Sequence, residues 1–190
     1  MPSVRHWLDE ATRERVQRLK ALCCELGYGV FYTHYGSRKS AELIENPWAA
    51  AILHWDKLGR QIRFEGPVVR SPAAESDEYF RSRPWRSQLN AWSSMQSAPL
   101  RDPADLQRAA RRRAAELGLP DPQEAREAGP IPAVPRPEFW GGYRLWFQAV
   151  EFWVEGTDRF HDRIRYERPL TRQGDEGFIA GGWTSQRLQP

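Results

Sequence analysis

Residues 142–147, 150–154, 161–168 and 183–188 read as strands, short runs rich in aromatic and β-branched side chains between breaks. The first three follow one another across gaps too short for the crossover that a parallel pair requires, so they succeed one another as hairpins. Three earlier runs, 28–33, 48–55 and 60–70, have the same character. In the last of these Ile62 and Phe64 alternate with Gln61, Arg63 and Glu65. Gly66-Pro67 within it predicts a bulge or a sheet edge. Short helices separate the strands, so the expected fold is α+β, mainly β, an antiparallel barrel with peripheral helices.

The helices announce themselves by periodicity and by their ends. Leu8, Ala11, Val16, Leu19, Leu22, Cys23 and Leu26 recur at three- and four-residue spacing, which predicts an amphipathic helix over 3–26 ended by Gly27 and Gly29. Ser37 caps a short helix that stops at Asn46-Pro47. Ser71-Pro72 opens another, closed by Pro84, and Asp102-Pro103 a third, closed by Gly118. Residues 119–138 are Pro-rich and read as a connecting segment. No internal repeat is present.

With 40% hydrophobic and 12% aromatic residues, nine of them Trp, the 190-residue chain carries enough apolar material for a core. It has no apolar run of membrane-spanning length and no signal-peptide block at its start, and the two cysteines are the neighbours Cys23 and Cys24. The expected setting is a reducing cytoplasm, with no membrane partner. Net charge is +3, and 25 of the 28 basic residues are Arg. Arg suits phosphate-bearing partners, although a GC-rich genome produces the same bias. The run 108–113, with four Arg, reads as a solvated helix face, since no aromatic interleaving accompanies it, and nucleic acid is not expected as a partner. Phosphate-binding glycine loops, nucleophile elbows and zinc-hydrolase motifs are absent, and the four His are scattered, so no metal is expected.

Three local patterns stand out. Ser37-Arg38-Lys39 places two cations in the first turn of a helix, against the macrodipole, where a bound anion would reverse the sign of the effect. A solvated helix start is the plain alternative. Tyr79 and Arg83 are spaced to share a helix face, with Ser87 just beyond Pro84. A phenol, a guanidinium and a hydroxyl converging there would cradle a phosphate. Taken alone, packing of Tyr79 and solvation of Arg83 explain that pattern as well. Arg159, His161 and Arg163, read as a strand, align on one face and repel unless an anionic or electron-rich ligand faces them. A charge-protected edge is the alternative.

These patterns occur together, in order, in one family. The stretches FYTHYGSRKSAELIENPWAA, RQIRFEGPV, EYFRSRPWRSQLNAWSSMQS, WGGYR, EFWVEGTDRFHDRIRYER and the terminal RLQP resemble the pyridoxine/pyridoxamine 5′-phosphate oxidases, across roughly residues 28–190. The resemblance implies an FMN-binding split β-barrel over 28–190, preceded by a divergent helical segment over 1–27. It implies a homodimer with the active site at the subunit interface. Tyr32, Thr33, Arg38, Lys39, Gln61, Gln96, Ser97, Trp153 and Arg163 match the family's FMN contacts, with Arg38 and Lys39 on the FMN phosphate. Tyr79, Arg83 and Ser87 match its cradle for the substrate phosphate, and Arg159 and His161 match the residues around the pyridine ring. The implied reaction is hydride transfer from the substrate to flavin N5, giving pyridoxal 5′-phosphate, with reoxidation by O2 to H2O2.

The chain also departs from the family pattern. Residues 3–26 read as helix where the family has about two further strands carrying an Arg for the FMN phosphate and a Lys for the substrate phosphate. Neither residue is carried over. Val154-Glu155 stands where Gln-Gly is usual, and Asn90 where Gly is common. Two alternatives follow: a paralogous FMN-dependent oxidase of another heteroaromatic ring, or a barrel that binds FMN or pyridoxal phosphate without turnover.

Overall fold

The computed structural model describes residues 27–124, 132–175 and 177–190. The helix expected over 3–26 lies outside them. The strands are β1 (Tyr28–His34), β2 (Trp48–Trp55), β3 (Arg60–Arg70), β4 (Trp140–Trp146), β5 (Ala149–Val154), β6 (Asp162–Glu167), β7 (Leu170–Gln173), β8 (Gly177–Ala180) and β9 (Thr184–Leu188). The helices are α1 (Arg38–Glu45), α2 (Ala73–Ser82), α3 (Trp85–Ser93) and α4 (Pro103–Glu116). Among the described residues one sheet runs β1-β4-β3-β5-β6-β9, with β2 also on β3, and β7 and β8 form a separate antiparallel pair.

The chain divides into two compact units. The first holds residues 27–29, 48–67 and 145–190. Its centre is β3, which pairs antiparallel with β2 through Trp48↔Pro67 to Trp55↔Arg60 and with β5 through Arg60↔Val154 to Glu65↔Ala149. Ile62, Phe64, Phe147, Ala149 and Val150 are buried, and the rings of Phe64 and Phe147 lie 4.5 Å apart. Gly66 is neither a bulge nor an edge: it pairs with Ala49, and a Cβ there would sit 1.9 Å from the Trp146 carbonyl oxygen. Close backbone approach is what requires glycine at this point.

The second unit holds residues 30–47 and 68–144. Phe80, Leu89, Ala91, Ala110, Ala114, Leu119, Val134 and Trp140 form its core, with Tyr32, Trp85, Trp92 and Leu117 packed against them. Ser37 caps α1, its side chain accepting from the Ser40 N–H, and Asp102 caps α4 by accepting from the Ala104 N–H at 2.9 Å. Ser71 does not cap α2: the helix starts two residues later with Pro72 at the cap, and the Ser71 hydroxyl is buried without a hydrogen-bond partner. Pro84 closes α2 as expected but also opens α3, because its fixed φ of −53° and missing N–H suit a helix start.

Leu89 is 1% exposed in this second core. Leu89→Ala is expected to cost about 2–5 kcal/mol of stability, measured as a shift of the urea unfolding midpoint at unchanged slope.

Candidate functional site

In the second unit, β1 runs directly into the start of α1. The Thr33 hydroxyl, buried, donates to Gln96 Oε1 at 2.8 Å, and the His34 N–H donates to the same oxygen at 3.0 Å. The Arg38 N–H donates to Ser97 Oγ at 3.3 Å. Ser97 holds a left-handed φ of 74°, which turns the chain after α3 toward this contact. Thr33, Arg38, Gln96 and Ser97 are thus brought together by hydrogen bonds across more than fifty residues of sequence. The first turn of α1 holds no acidic residue. The Arg38 side chain is exposed and paired with Glu42 at 2.8 Å, and Lys39 Nζ lies 5.4 Å from the Phe31 ring centroid. The Ser37 hydroxyl is not presented to an anion. It is fully buried and spent on the cap, where it meets the Ser40 N–H at 3.3 Å.

The same unit holds a stack of parallel rings. Tyr32 lies 3.8 Å from Tyr79 at 12° and 5.5 Å from Trp140 at 11°. The Arg83 guanidinium sits 4.8 Å from the Trp140 ring centroid and 5.8 Å from that of Phe80. Arg83 is not on the helix face with Tyr79: it is the extended C-cap of α2, at φ −76° and ψ 149°. Buried Gln88 fixes that turn by donating to the Arg83 carbonyl at 2.7 Å and the Arg81 carbonyl at 3.3 Å. Nη1 of Arg83 is buried without a hydrogen-bond partner, and burial pulls the guanidinium's pKa down. Burial also pushes the Tyr32 phenol up to about 12, with Glu75 adding to the shift. Ser87 is half-buried in the first turn of α3, just past the turn that bears Arg83.

In the first unit the sheet register aligns Gln61, Trp153 and Arg163 in one row across β3, β5 and β6. Directly opposed residues project to the same face. The Arg163 Nε donates to buried Glu151 at 2.7 Å and its Nη1 donates to the Gln189 carbonyl at 3.0 Å. Glu151 holds the guanidinium's pKa above its ordinary value. The row continues into a charge-balanced ladder. Arg165 donates to Glu65 at 2.8 Å and to Glu167 at 2.7 Å, and Arg63 lies 2.6 Å from Glu65.

Arg159, His161 and Arg163 do not share one strand face. Strand β6 begins only at Asp162, and Asp158 and Arg159 hold left-handed φ values of 53° and 67° in a tight 3-10 turn. A Cβ on Gly156 would lie 1.9 Å from the Phe160 carbonyl oxygen, so the 156–161 loop folds back on itself. Arg159 is exposed there. The His161 ring lies 4.7 Å from Trp153, and its Nδ1 accepts from the Gly156 N–H at 3.2 Å. Two functional neighbours were not singled out from sequence, Trp140 beneath Arg83 and Glu151 beneath Arg163. The signal for Glu151 was available in the alternating charges of 63–65, 151 and 163–167. For Trp140 it was only its place at the head of WGGYR.

The architecture is that of an α+β, mainly β, antiparallel split barrel with peripheral helices, and its polar clusters suit a phosphate-bearing cofactor and ligand. The family model described as pyridoxamine 5′-phosphate oxidase matches residues 16–117, and that described as pyridoxine 5′-phosphate oxidase C-terminal dimerisation region matches residues 140–190. The chain belongs to the pyridoxamine 5′-phosphate oxidase family. It is 44% identical over 160 residues to a pyridoxine/pyridoxamine 5′-phosphate oxidase of Herminiimonas arsenicoxydans, with 84% of this chain and 65% of that protein covered. To the namesake of Rubrobacter xylanophilus it is 45% identical over 161 residues, with 85% and 64% covered. The chain therefore spans about two thirds or slightly less of the length of these relatives. The crystal structure of PhzG from Burkholderia lata 383, in complex with tetrahydrophenazine-1-carboxylic acid, matches with a TM-score of 0.67. It is 26% identical and covers 100% of this chain and 97% of its own.

The ladder makes the first unit acid-sensitive. Arg165, by its hydrogen bond, holds the Glu65 carboxyl below its ordinary value of 4.5. A depressed folded-state pKa contributes stability above the unfolded value and loses it as pH falls through the folded one. Glu65→Gln is expected to flatten the decline in melting temperature below pH about 4.5, measured against the unaltered chain from pH 6 to pH 3.

Proposed function

We propose that this chain is an FMN-dependent oxidase that converts pyridoxine 5′-phosphate or pyridoxamine 5′-phosphate to pyridoxal 5′-phosphate. The observation that carries the substrate class is Arg83, a half-buried guanidinium whose Nη1 is covered and has no hydrogen-bond partner. Such a group costs free energy until an anion meets it, and Tyr79 and Ser87 lie along the same helix–turn–helix to complete a phosphate cradle.

The residues present fit FMN. The first turn of α1 carries no carboxylate and offers Lys39 and, on release of its exposed pair with Glu42, Arg38 to a phosphate. Thr33, Gln96 and Ser97 are already held in place beside it, and Tyr32 follows on the same strand. By the family resemblance, the row Gln61, Trp153 and Arg163 would supply further FMN contacts. Bound FMN would supply the hydride acceptor at N5 and pass the electrons to O2, giving H2O2. The protein's part is to bind and orient. Arg163, shared with Glu151, is a fixed donor rather than a free charge. Arg159 and His161 hold the pyridine ring. Because Nδ1 of His161 accepts from Gly156, the neutral imidazole carries its proton on Nε2 and presents a donor there.

The partner is a second copy of this chain, with the active site at the interface between subunits. β2 supports this, since Trp48, Ile52 and Leu53 are exposed on it at 47%, 55% and 40%. The arginines of α4 are balanced by carboxylates, Arg108 by Asp102 and Asp105, Arg111 by Asp121 and Arg113 by Glu116, which supports reading the run as a solvated helix face. No helix among the described residues is long and apolar enough to cross a membrane. The full-length match to PhzG favours a second reading, an oxidase of another heteroaromatic ring. The phosphate cradle favours the first.

The test is anaerobic addition of pyridoxine 5′-phosphate or pyridoxamine 5′-phosphate to the FMN-loaded chain. Bleaching of the flavin absorbance that recovers in air is expected. Flavin that stays oxidised with both esters would move the assignment to another ring or to a binding protein without turnover. Arg159→Ala is expected to lower turnover by roughly 10- to 150-fold, the worth of one charged hydrogen bond, with FMN still bound by absorbance.

A further inference from the structure

Arg83 differs from other half-buried arginines of its unit in what holds it. Arg136 donates to Asp77 at 2.6 Å, and Arg144 to Glu75 at 3.0 Å. Among the described residues Arg83 has no carboxylate partner. Its guanidinium is instead 4.8 Å from the centroid of the Trp140 ring. An indole face attracts a guanidinium through its quadrupole and fixes its plane, yet contributes no negative charge. A carboxylate in the same place would hold the side chain equally well and then compete with an incoming anion.

Trp140 is itself held firmly. Its ring is buried in the second unit's core and meets Phe80 edge-on at 5.2 Å. Its backbone N–H donates to the Pro137 carbonyl at 3.0 Å. Its carbonyl accepts from Arg136 Nη1 at 2.6 Å, and Arg136 is bound to Asp77 on α2, the helix that ends at Arg83. The two partners of the cation–π contact are thus tied to each other through a second, independent route.

We infer that Trp140 is the positioning residue for Arg83: it orients the guanidinium for a phosphate ester while leaving its charge uncompensated. The inference rests on the reading of Tyr79, Arg83 and Ser87 as a phosphate cradle. It makes Trp140 a determinant of phosphorylated over unphosphorylated ligand, although the indole itself need not touch the phosphate.

The test uses the FMN-loaded full chain, titrated with pyridoxal 5′-phosphate and with pyridoxal and followed by ligand absorbance. Trp140→Leu removes the ring face. It is expected to weaken the phosphate ester by roughly 2- to 30-fold while pyridoxal binds as before. Trp140→Phe keeps a weaker face and is expected to restore most of that loss. In steady state the loss should fall on KM for the phosphorylated substrate and leave kcat in place. Unchanged affinity for pyridoxal 5′-phosphate in a folded, flavin-loaded Trp140→Leu chain would overturn the inference, as would equal losses for both ligands. If the Leu variant does not fold, the Phe variant decides, since a small loss confined to the phosphate ester is expected and no loss, or a loss shared by pyridoxal, would overturn it. Arg83→Met, which removes the charge, separates the two levels. If it too leaves the phosphate ester unaffected, the cradle reading itself fails; if it weakens the ester and Trp140→Leu does not, only the role of Trp140 fails.

Discussion

Holding the half-buried Arg83 guanidinium with Nη1 covered, and with no carboxylate beside it among the described residues, is the constraint around which the helical unit is organised. The side chain must be buried enough to lose hydration, yet held well enough not to turn back to solvent. Three features accomplish this. The turn between α2 and α3 is forced by Pro84 and fastened by Gln88. The wall beneath is Trp140, at the first residue of β4. Arg136 and Asp77 then join that strand to α2. Each is a local solution in hydrogen bonding or packing, and together they leave Arg83 Nη1 covered without a hydrogen-bond partner among the described residues.

The strand-rich unit solves the opposite problem. Its charged face is balanced among its own residues: Arg63, Arg163 and Arg165 against Glu65, Glu151 and Glu167. Such a ladder adds order more than net stability, because pairing offsets desolvation rather than exceeding it by much. Its consequence for function is positional. Gln61, Trp153 and Arg163 fall in one row because β3, β5 and β6 are locked in register, and Glu151 prevents Arg163 from straying. Fixed donors of this kind suit a planar, polar-edged cofactor.

Much of this was legible in the residues themselves. Alternation in 60–65 predicted the buried face of β3, and the Ser37 and Asp102 caps set the starts of α1 and α4. The family resemblance named Thr33, Arg38, Gln96 and Ser97, which hydrogen bonds then brought together. Other features depended on distances that no local pattern carries. Gly66 looked like a bulge or an edge because glycine weakens strands, whereas here the Trp146 carbonyl occupies the space of its side chain. Arg159 and His161 fitted a strand period, but left-handed residues at 158 and 159 turn the chain before β6 can begin. Ser71 had the composition of a cap without its geometry. The α3 helix follows Pro84 with no side-chain cap to announce it, and the β7–β8 strands are too short to stand out against their neighbours.

The account stands most directly on one comparison of affinities. Calorimetric titration of the FMN-loaded chain with pyridoxal 5′-phosphate and with pyridoxal measures what the half-buried Arg83 guanidinium gains from a phosphate. The prediction is that the phosphate ester binds at least roughly 10-fold tighter, the lower bound for one charge-assisted hydrogen bond. Equal affinities would contradict it, for then Arg83 would be buried for packing alone and the phosphate cradle would not exist.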